Sequence, residues 1–207
     1  LEDHKLPVGL DFEDVELVGF DLRQTNIFTS VKPVDIDNGL VILEKQLNIV
    51  SKEYEIATLD SKGILKNTKF ENYLFCNDKK DIIDFKNELV NFIKNVEPKK
   101  KWIVVISDYK EFVNITAPNN DEIKTIFSDG PKNNVFPIVY GLYQDTIGGF
   151  TSQVKLLREI VSNAFVGISI SEQELIKVRY KVDEKNLKNN EMYYIYDYEY
   201  KKVKLFE

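Results

Sequence analysis

The chain is poor in the side chains on which most cysteine- and histidine-dependent chemistry relies. Its 207 residues include one cysteine, Cys76, and one histidine, His4. A single cysteine excludes an intrachain disulfide and a cysteine-based metal site. The lone histidine lies near the amino terminus, so catalysis by a cysteine–histidine or serine–histidine pair is not expected, and no metal site is predicted. Cys76 closes an apolar run, and we expect it to be a buried, unreactive thiol.

Positive charge and long apolar runs are also scarce. The net charge is −6, and arginine occurs at three scattered positions, Arg23, Arg158 and Arg179. Non-specific nucleic-acid binding depends on clustered basic side chains, so no nucleic-acid partner is expected. The short run 99–101 of three lysines is interpreted as a solvated turn before a strand. No apolar run approaches the length of a membrane span, so no direct membrane contact is expected of this domain.

The pattern of apolar residues predicts alternating strands and helices. Strands are predicted at residues 15–22, 27–31, 55–59, 73–76, 102–106 and 135–140, and a hairpin at 193–198 and 200–206. Helices are predicted at residues 38–52, 78–96, 121–127 and 153–162. Residues 1–5 are interpreted as a linker and 6–10 as a short lead-in.

Three runs that are apolar on both faces, 27–31, 102–106 and 135–140, predict neighbouring parallel strands at the centre of a sheet. The fold class is therefore predicted to be α/β, with a mainly parallel central sheet and a carboxy-terminal antiparallel hairpin. The whole chain, residues 1–207, is expected to form a single domain.

Several short segments follow one another in a characteristic order. They are Leu157-Arg158, Phe165-Val166-Gly167-Ile168, Glu172-Gln173-Glu174-Leu175, Val178-Arg179-Tyr180 and Glu191-Met192-Tyr193-Tyr194-Ile195. This order resembles the end of FtsK/SpoIIIE-type ATPase modules, and residues 7–10 with 16–22 resemble the strand before that family's phosphate loop. More narrowly, the chain resembles the carboxy-terminal module of the type VII secretion motor of Gram-positive bacteria, the EssC/EccC type. The resemblance implies a P-loop NTPase-like, RecA/FtsK-like sandwich in a cytoplasmic domain of a cell-membrane protein.

The phosphate loop expected by that resemblance is degenerate. No window of the chain matches G-x-x-x-x-G-K-[ST], the loop whose backbone N–H groups and lysine hold the phosphates of a nucleotide. If Lys32 takes the place of the first glycine, Asp37, Asn38 and Gly39 stand where glycine, lysine and serine or threonine should be. An acid near the phosphates, and the loss of the lysine and the magnesium-binding hydroxyl, all act against a polyanion.

The acidic strand end of the family maps to Ser107 and Asp108. In active modules two acids stand here, one for the metal and one to activate water. Ser107 replaces the first, and Asp108 is interpreted either as a vestige or as a cap of the following turn at residues 109–112. No arginine finger is assigned, and Arg179 is expected to pair with a nearby carboxylate.

The resemblance therefore implies a non-hydrolysing, pseudo-ATPase module that contributes to recognition of secreted substrates. Its expected partners are small helical secreted proteins and the neighbouring ATPase modules of the same chain. No cofactor is expected here, whereas the parent modules would use ATP and Mg. Tyr193, Tyr194 and Tyr196 are candidate contacts for a partner, as is the ground vacated by the nucleotide. The alternatives are an ATP-binding or hydrolysing module with a non-standard phosphate loop, a DNA-translocating module, and a structural cap of the motor.

Overall fold

Ten strands form one mixed sheet in the computed structural model, which describes residues 4–95, 100–179 and 186–206. The strands are β1 Lys5–Asp11, β2 Leu17–Asp21, β3 Asn26–Ser30, β4 Glu55–Leu59, β5 Tyr73–Cys76, β6 Trp102–Ser107, β7 Val135–Leu142, β8 Asn163–Gly167, β9 Glu191–Tyr196 and β10 Glu199–Leu205. The helices are α1 Pro33–Val50, α2 Lys79–Asn95, α3 Tyr109–Thr116, α4 Asn120–Lys124, α5 Tyr143–Thr146 and α6 Ser152–Ile160. A π-helical turn at Thr125–Asp129 and a 3-10 turn at Gly130–Asn133 follow α4.

The strand order is β2-β1-β10-β9-β8-β3-β7-β6-β4-β5. The pairs from β8 to β5 are parallel, and those from β2 to β8 are antiparallel. Because the carboxyl ends of parallel strands share one edge of the sheet, the segments that follow β3, β4 and β6 all emerge at the same edge. The predicted mainly parallel sheet with a terminal antiparallel hairpin is confirmed.

Helices cover both faces of the parallel half of the sheet. Helix α1 packs on one face through Ile42, Leu43, Leu47 and Val50, whereas α2, α3 and α6 pack on the other through Ile82, Phe85, Leu89, Phe112, Val154 and Leu157. Between these layers, residues 103–106 of β6 are 0% exposed, as the unbroken apolar run predicts. Strands β3, β7 and β6 are neighbours in the sheet, so the three predicted core strands are confirmed.

The amino-terminal segment is more ordered than the sequence suggested. The predicted linker and lead-in together contain strand β1, which begins at Lys5 and pairs with β2 and β10. Pro7 and Gly9 disfavour a strand locally, and an irregularity in the β1–β2 register between them accommodates both. A Cβ atom at Gly9 would lie 2.3 Å from the carbonyl oxygen of Lys204, so only glycine allows this close approach.

Two further boundaries differ from the prediction. Strand β8 was not predicted, because five residues rich in small side chains carry no strand pattern of their own; pairing with β3 and β9 makes it a strand. Helix α1 begins at Pro33 rather than residue 38, with proline in the first turn, where its missing N–H is no loss.

The other predicted helices and the hairpin are confirmed within a few residues. Cys76 is buried, as expected, and burial raises the pKa of its thiol to about 11.

Candidate functional site

The expected phosphate loop is replaced by helix. Strand β3 ends at Ser30, Lys32 is the N-cap residue of α1, and residues 33–39 are already helical. A working phosphate loop needs an open turn whose N–H groups point inward, and two residues between strand and helix do not supply one. Asp37, Asn38 and Gly39 therefore lie on α1 rather than in a loop, and Gly39 packs against Phe28, whose ring carbon would lie 2.3 Å from an added Cβ atom.

A buried carboxylate occupies the space next to the start of α1. Asp35 is 0% exposed, and its Oδ2 atom accepts a hydrogen bond from the Ser30 hydroxyl at 2.8 Å. Its Oδ1 atom lies 3.4 Å from the backbone N–H of Asn190. A carboxylate in the first turn is favourable for the helix dipole, but it also places negative charge where a phosphate would have to bind. The carboxylate of Asp35 would therefore repel a polyanion at the start of α1.

Two backbone carbonyl groups accept hydrogen bonds from Lys32, the residue that precedes α1. The segment 186–190, which we call the carbonyl turn, leads into β9. The Lys32 ammonium donates to the carbonyl oxygens of Leu187 at 3.1 Å and Lys188 at 3.5 Å. Further donors to the carbonyl turn are Lys202 to the Asn186 oxygen at 3.2 Å, Lys204 to the Asn189 oxygen at 3.3 Å and the N–H of Leu205 to the Asn190 oxygen at 2.8 Å. Asn38 also donates to the Asn190 side chain.

The polarity of this arrangement is the reverse of a phosphate-binding loop. A phosphate loop presents N–H donors and a lysine to an anion. Here carbonyl acceptors face the ammonium of Lys32, and the buried carboxylate of Asp35 lies in the first turn of the same helix. The structure thus brings Lys32 and Asn38 of the sequence-predicted set together, while Asp37 is exposed on the outer side of α1. Sequence reasoning did not single out Asp35 or the carbonyl turn, because the residues that form this contact, Asp35 and Asn190, are 155 positions apart in the sequence.

The acidic strand end forms a separate network at the same edge of the sheet. Ser107 donates to Asp60 Oδ1 at 2.7 Å, and buried Asp60 also accepts the N–H groups of Gly63 at 3.0 Å and Leu65 at 2.9 Å. These contacts leave Asp60 and Ser107 engaged in shaping the turn after β4. Strand β7 separates this network from β3, so Ser107 and Asp108 do not meet Lys32.

Asp108 is held by a lysine and by the helix that follows it. Its carboxylate accepts the N–H of Glu111 at 3.1 Å, which confirms the predicted capping role at the start of α3. Its other oxygen lies 2.7 Å from the Lys62 ammonium, which also contacts Asp145 at 3.2 Å. Hydrogen bonding to Asp108 raises the pKa of Lys62 above its ordinary value, so the lysine stays charged. The surviving acid is therefore already neutralised by the chain itself.

A buried ion pair anchors the carbonyl turn to the hairpin. Glu191 accepts from the Lys202 ammonium at 2.5 Å and from the N–H of Lys188 at 2.7 Å. Burial acts to raise the pKa of Glu191, but these hydrogen bonds outweigh it and hold the pKa below its ordinary value of 4.5. Because the pKa is lower in the folded chain than in the unfolded chain, the ion pair stabilises the fold above about pH 4.5, and this contribution is lost as the pH falls through the folded-state pKa.

Glu191→Gln is expected to lower the free energy of unfolding by about 2 kcal/mol at pH 7, since a hydrogen bond to a charged group is lost. The difference from the wild type should shrink as the pH falls from 4.5 through the lower folded-state pKa, because the wild-type carboxylate then becomes protonated as well. Urea denaturation at pH 7 and at the lowest pH at which the wild type still unfolds cooperatively measures both values. Glu199→Gln, at an exposed position of the same hairpin, is the control. An equal loss of stability at both pH values would contradict the assignment.

The candidate tyrosines fall on both sides of the hairpin, and two of the three are buried. Tyr193 is 2% exposed and Tyr194 is 9% exposed, so both belong to the core rather than to an open contact surface. Tyr196 is partly exposed and stacks on Tyr194, with ring centroids 5.2 Å apart. Successive side chains of β9 point to opposite faces of the sheet, so Tyr193 packs in one hydrophobic cluster and Tyr194 in the other. Of the predicted contacts, Tyr196 is the one that reaches the surface.

A groove of about 970 Å³ lies between α6 and residues 173–178 and is also lined by the turn of the hairpin. Its lining combines apolar and charged side chains: Ile160, Val161, Leu175, Ile176, Val178 and Tyr198 with Lys155, Arg158, Glu159, Glu174, Lys177 and Asp197. Gln173 shapes the segment, since its Oε1 accepts the N–H groups of Leu175 and Ile176 at 2.8 and 3.0 Å. We call this hollow the groove. Residues 172–175 carried the family resemblance, but no sequence signal marked them as lining a groove.

Two arginines border the groove. Arg158 donates to the carbonyl oxygen of Ile147 at 2.6 Å and lies beside the 71% exposed ring of Phe150. The expectation that Arg179 pairs with a carboxylate is not met among the described residues, where its guanidinium lies 5.7 Å from the ring centre of Tyr198. Arg158 thus forms part of the wall of the groove, and Arg179 lies close to Tyr198, which lines it.

Comparison with known proteins identifies the kind of module. No family model matches the chain. The type VII secretion system protein EssC of Staphylococcus aureus strain MRSA252 is 37% identical over 213 residues, which include 100% of this chain and 14% of that protein. The chain is similar along its whole length to a segment of EssC. The resemblance drawn from the sequence is thereby confirmed, and this EssC/EccC-type module spans about one seventh of its curated relative.

Solved structures share the fold of this EssC/EccC-type module at low sequence identity. EssC (ATPases 2 and 3) from Geobacillus thermodenitrificans superposes with a TM-score of 0.77 at 17% identity, covering 98% of this chain and 41% of that one. The cytoplasmic domain of EssC gives a TM-score of 0.71 at 14% identity, over 98% and 42%. Thermomonospora curvata EccC (ATPases 2 and 3), solved in complex with a signal sequence peptide, gives 0.70 at 12% identity, over 98% and 40%. The P-loop NTPase-like fold is thus confirmed. Among the described residues, no helix combines the length and apolarity needed to cross a membrane.

Proposed function

We propose that this chain is a non-hydrolysing module of a type VII secretion motor and that it contributes to recognition of the proteins which that motor secretes. The absence of hydrolysis is inferred from the reversed polarity at the start of α1. Two backbone carbonyl groups accept hydrogen bonds from Lys32 there, and the carboxylate of Asp35 is buried in the first turn. The chain covers 14% of its EssC relative. The membrane anchor, the ATP-consuming steps and the neighbouring modules are therefore assigned to the parent protein as part of the proposal.

The groove supports the second part. One wall is α6 and the other is the irregular segment 173–178, and the lining combines apolar side chains with charges of both signs. This layout fits the apolar face of an amphipathic helix, whose polar face would remain in water. A related EccC was solved with a signal sequence peptide, which makes a peptide ligand a reasonable expectation for a module of this fold. We assign the groove to the helical signal of a secreted substrate.

Mg-ATP is expected not to bind the 207-residue chain. The start of α1 has no open loop, its first turn carries a buried carboxylate, and Asp108 is already paired with Lys62. Isothermal titration calorimetry should show no binding heat up to millimolar nucleotide, a free energy no better than about −4 kcal/mol. A micromolar dissociation constant would establish the alternative, an ATP-binding module with a non-standard loop.

Asn38→Lys provides a sharper form of this test. It restores a lysine at the position that the loop register assigns to the phosphate-binding lysine. Because residues 33–39 remain helical and Asp35 remains buried, we expect the variant to bind Mg-ATP no better than the wild type. If this one substitution restored nucleotide binding, the missing lysine alone would explain the loss, and the reversed polarity would not be what prevents binding.

A further inference from the structure

A second, smaller hollow adjoins the groove at the hairpin. This cavity of about 300 Å³, which we call the hairpin pocket, is lined by Tyr194 and Tyr196 of β9 and by Asn163 at the start of β8. Ser162 and Asp197 line both the hairpin pocket and the groove, so the two hollows are adjacent at these residues. A helix lying in the groove would bring side chains at one of its ends to the mouth of the pocket.

Asn163, which lines the hairpin pocket, carries a hydrogen-bond acceptor without a partner among the described residues. Asn163 is 3% exposed, and among the described residues no donor pairs with its Oδ1 atom. Its orientation is set by Asn26, whose amide nitrogen donates to the carbonyl oxygens of Asp21 at 2.9 Å and Gln24 at 3.0 Å. The Asn26 oxygen therefore faces Asn163 and receives its N–H at 2.8 Å, which leaves Asn163 Oδ1 as the orphan. A buried acceptor without a partner favours a ligand that donates.

The charges of the pocket favour a positive ligand. Asp21 is satisfied by Arg23 at 2.8 Å, and Asp11 lies 3.6 Å from Lys201. Asp197 lines the pocket and has no ion-pair partner within the part of the chain that the structure describes. Burial, together with the negative charges of Asp21 and Asp197, raises the pKa of Tyr194 to about 12.

An aromatic stack forms the side of the pocket. The rings of Phe165 and Tyr194 lie 4.7 Å apart at an angle of 27°, and those of Tyr194 and Tyr196 lie 5.2 Å apart at 17°. Tyr196 is the outermost ring and is partly exposed. The face of an aromatic ring attracts a cation, and a planar guanidinium can stack on it. A positively charged ligand that donates hydrogen bonds thus suits all three groups, namely the ring of Tyr196, the carboxylate of Asp197 and the amide oxygen of Asn163.

We propose that the hairpin pocket binds a lysine or arginine side chain of the protein whose helix docks in the groove. The side chain lies over Tyr196, pairs with Asp197 and donates toward Asn163 Oδ1. This assignment of a basic residue to the partner rests on the proposed substrate recognition. Lys5 also lines the pocket, and it would favour an acidic side chain instead, so an anionic probe belongs in the test.

The test uses three small probes with the 207-residue chain. N-acetyl-arginine amide carries the cation, N-acetyl-citrulline amide is its neutral isostere, and N-acetyl-aspartate amide is the anion. Each is titrated while backbone NMR signals around residues 194–197 are followed. We expect saturable shifts with the arginine probe and a dissociation constant at least about fivefold weaker for the citrulline probe, as loss of a cation–π contact and an ion pair requires. Equal binding of both, tighter binding of the aspartate probe, or no binding of any probe would overturn the proposal.

Matched variants locate the binding in the pocket. Asp197→Asn and Tyr196→Leu should each weaken the arginine probe by about threefold, whereas Tyr196→Phe, which keeps the ring, should bind as the wild type does. Glu199→Gln removes an exposed acid of the same hairpin outside the pocket and should have no effect. If Glu199→Gln weakens binding as much as Asp197→Asn, the probe is responding to overall charge, and the pocket is not its site.

The probe experiment and the substrate-recognition proposal fail separately. The probes are measured without any secreted protein, so their failure leaves the groove assignment untouched. If instead the probes bind as expected while the module proves to have no influence on which proteins are secreted, the pocket remains a basic-side-chain site and the identity of its partner is wrong.

Discussion

Val104→Asp is expected to leave the chain unfolded at 25 °C. Val104 is 0% exposed on β6, where it pairs with Ala57 of β4 on one side and Pro137 of β7 on the other. A carboxylate there has no cation and no donor, and burying it costs several kcal/mol, which is comparable to the whole stability of a domain. Far-ultraviolet circular dichroism and thermal melting should show loss of the cooperative transition.

Two controls separate this effect from general intolerance. Val104→Ala removes only methyl groups and should fold, with a free energy of unfolding lowered by about 1–3 kcal/mol. Val41→Asp places the same carboxylate on α1 at a position that is 49% exposed, and it should melt close to the wild type. A cooperative Val104→Asp variant with a wild-type melting temperature would show that β6 is not at the centre of the sheet.

Exchanging this module is expected to change which proteins are secreted. In the parent motor, the module would be replaced by the corresponding segment of the EssC relative from Staphylococcus aureus strain MRSA252. At 37% identity over the whole chain the fold should be kept while groove side chains differ. Mass spectrometry of culture supernatants, with the substrates of both motors expressed, should show that the secreted set follows the module. An unchanged set would reject substrate recognition and leave the structural-cap alternative.

A point variant makes the same prediction at the level of one side chain. Tyr198 is 56% exposed at the wall of the groove, so its removal should not disturb the core. Tyr198→Ala is expected to reduce secretion of the cognate substrates several-fold, because exposed aromatic rings commonly anchor protein interfaces. Ile49→Ala, at a 68% exposed position of α1 outside the groove, is the matched control and should secrete normally.

Local sequence patterns were sufficient to predict the three central strands of the sheet. Apart from the end residues Val31 and Trp102, the runs at 27–31, 102–106 and 135–140 are buried, and this property follows from composition because helices must cover both sides of such strands. The absence of G-x-x-x-x-G-K-[ST] is likewise readable without a structure. So is the capping role of Asp108, which depends on residues three positions away.

Other features depend on contacts between distant parts of the chain, and the tertiary structure decided them. Strand β8 exists because β3 and β9 pair with it, and Tyr193 and Tyr194 are buried because neighbouring elements cover the hairpin. A local pattern records which residues are apolar but not which element will cover them.

The sequence alone determined that no window matches G-x-x-x-x-G-K-[ST] and that Lys32, Asp37, Asn38 and Gly39 stand where the expected register needs glycine, glycine, lysine and a hydroxyl. Only the tertiary structure decided what stands there instead. The carbonyl turn comes from more than 150 residues further along the chain, and folding brings its oxygens onto the Lys32 ammonium beside Asp35. A backbone carbonyl carries no side-chain signature, so its meeting with a distant lysine depends on the path of the chain and not on any local pattern.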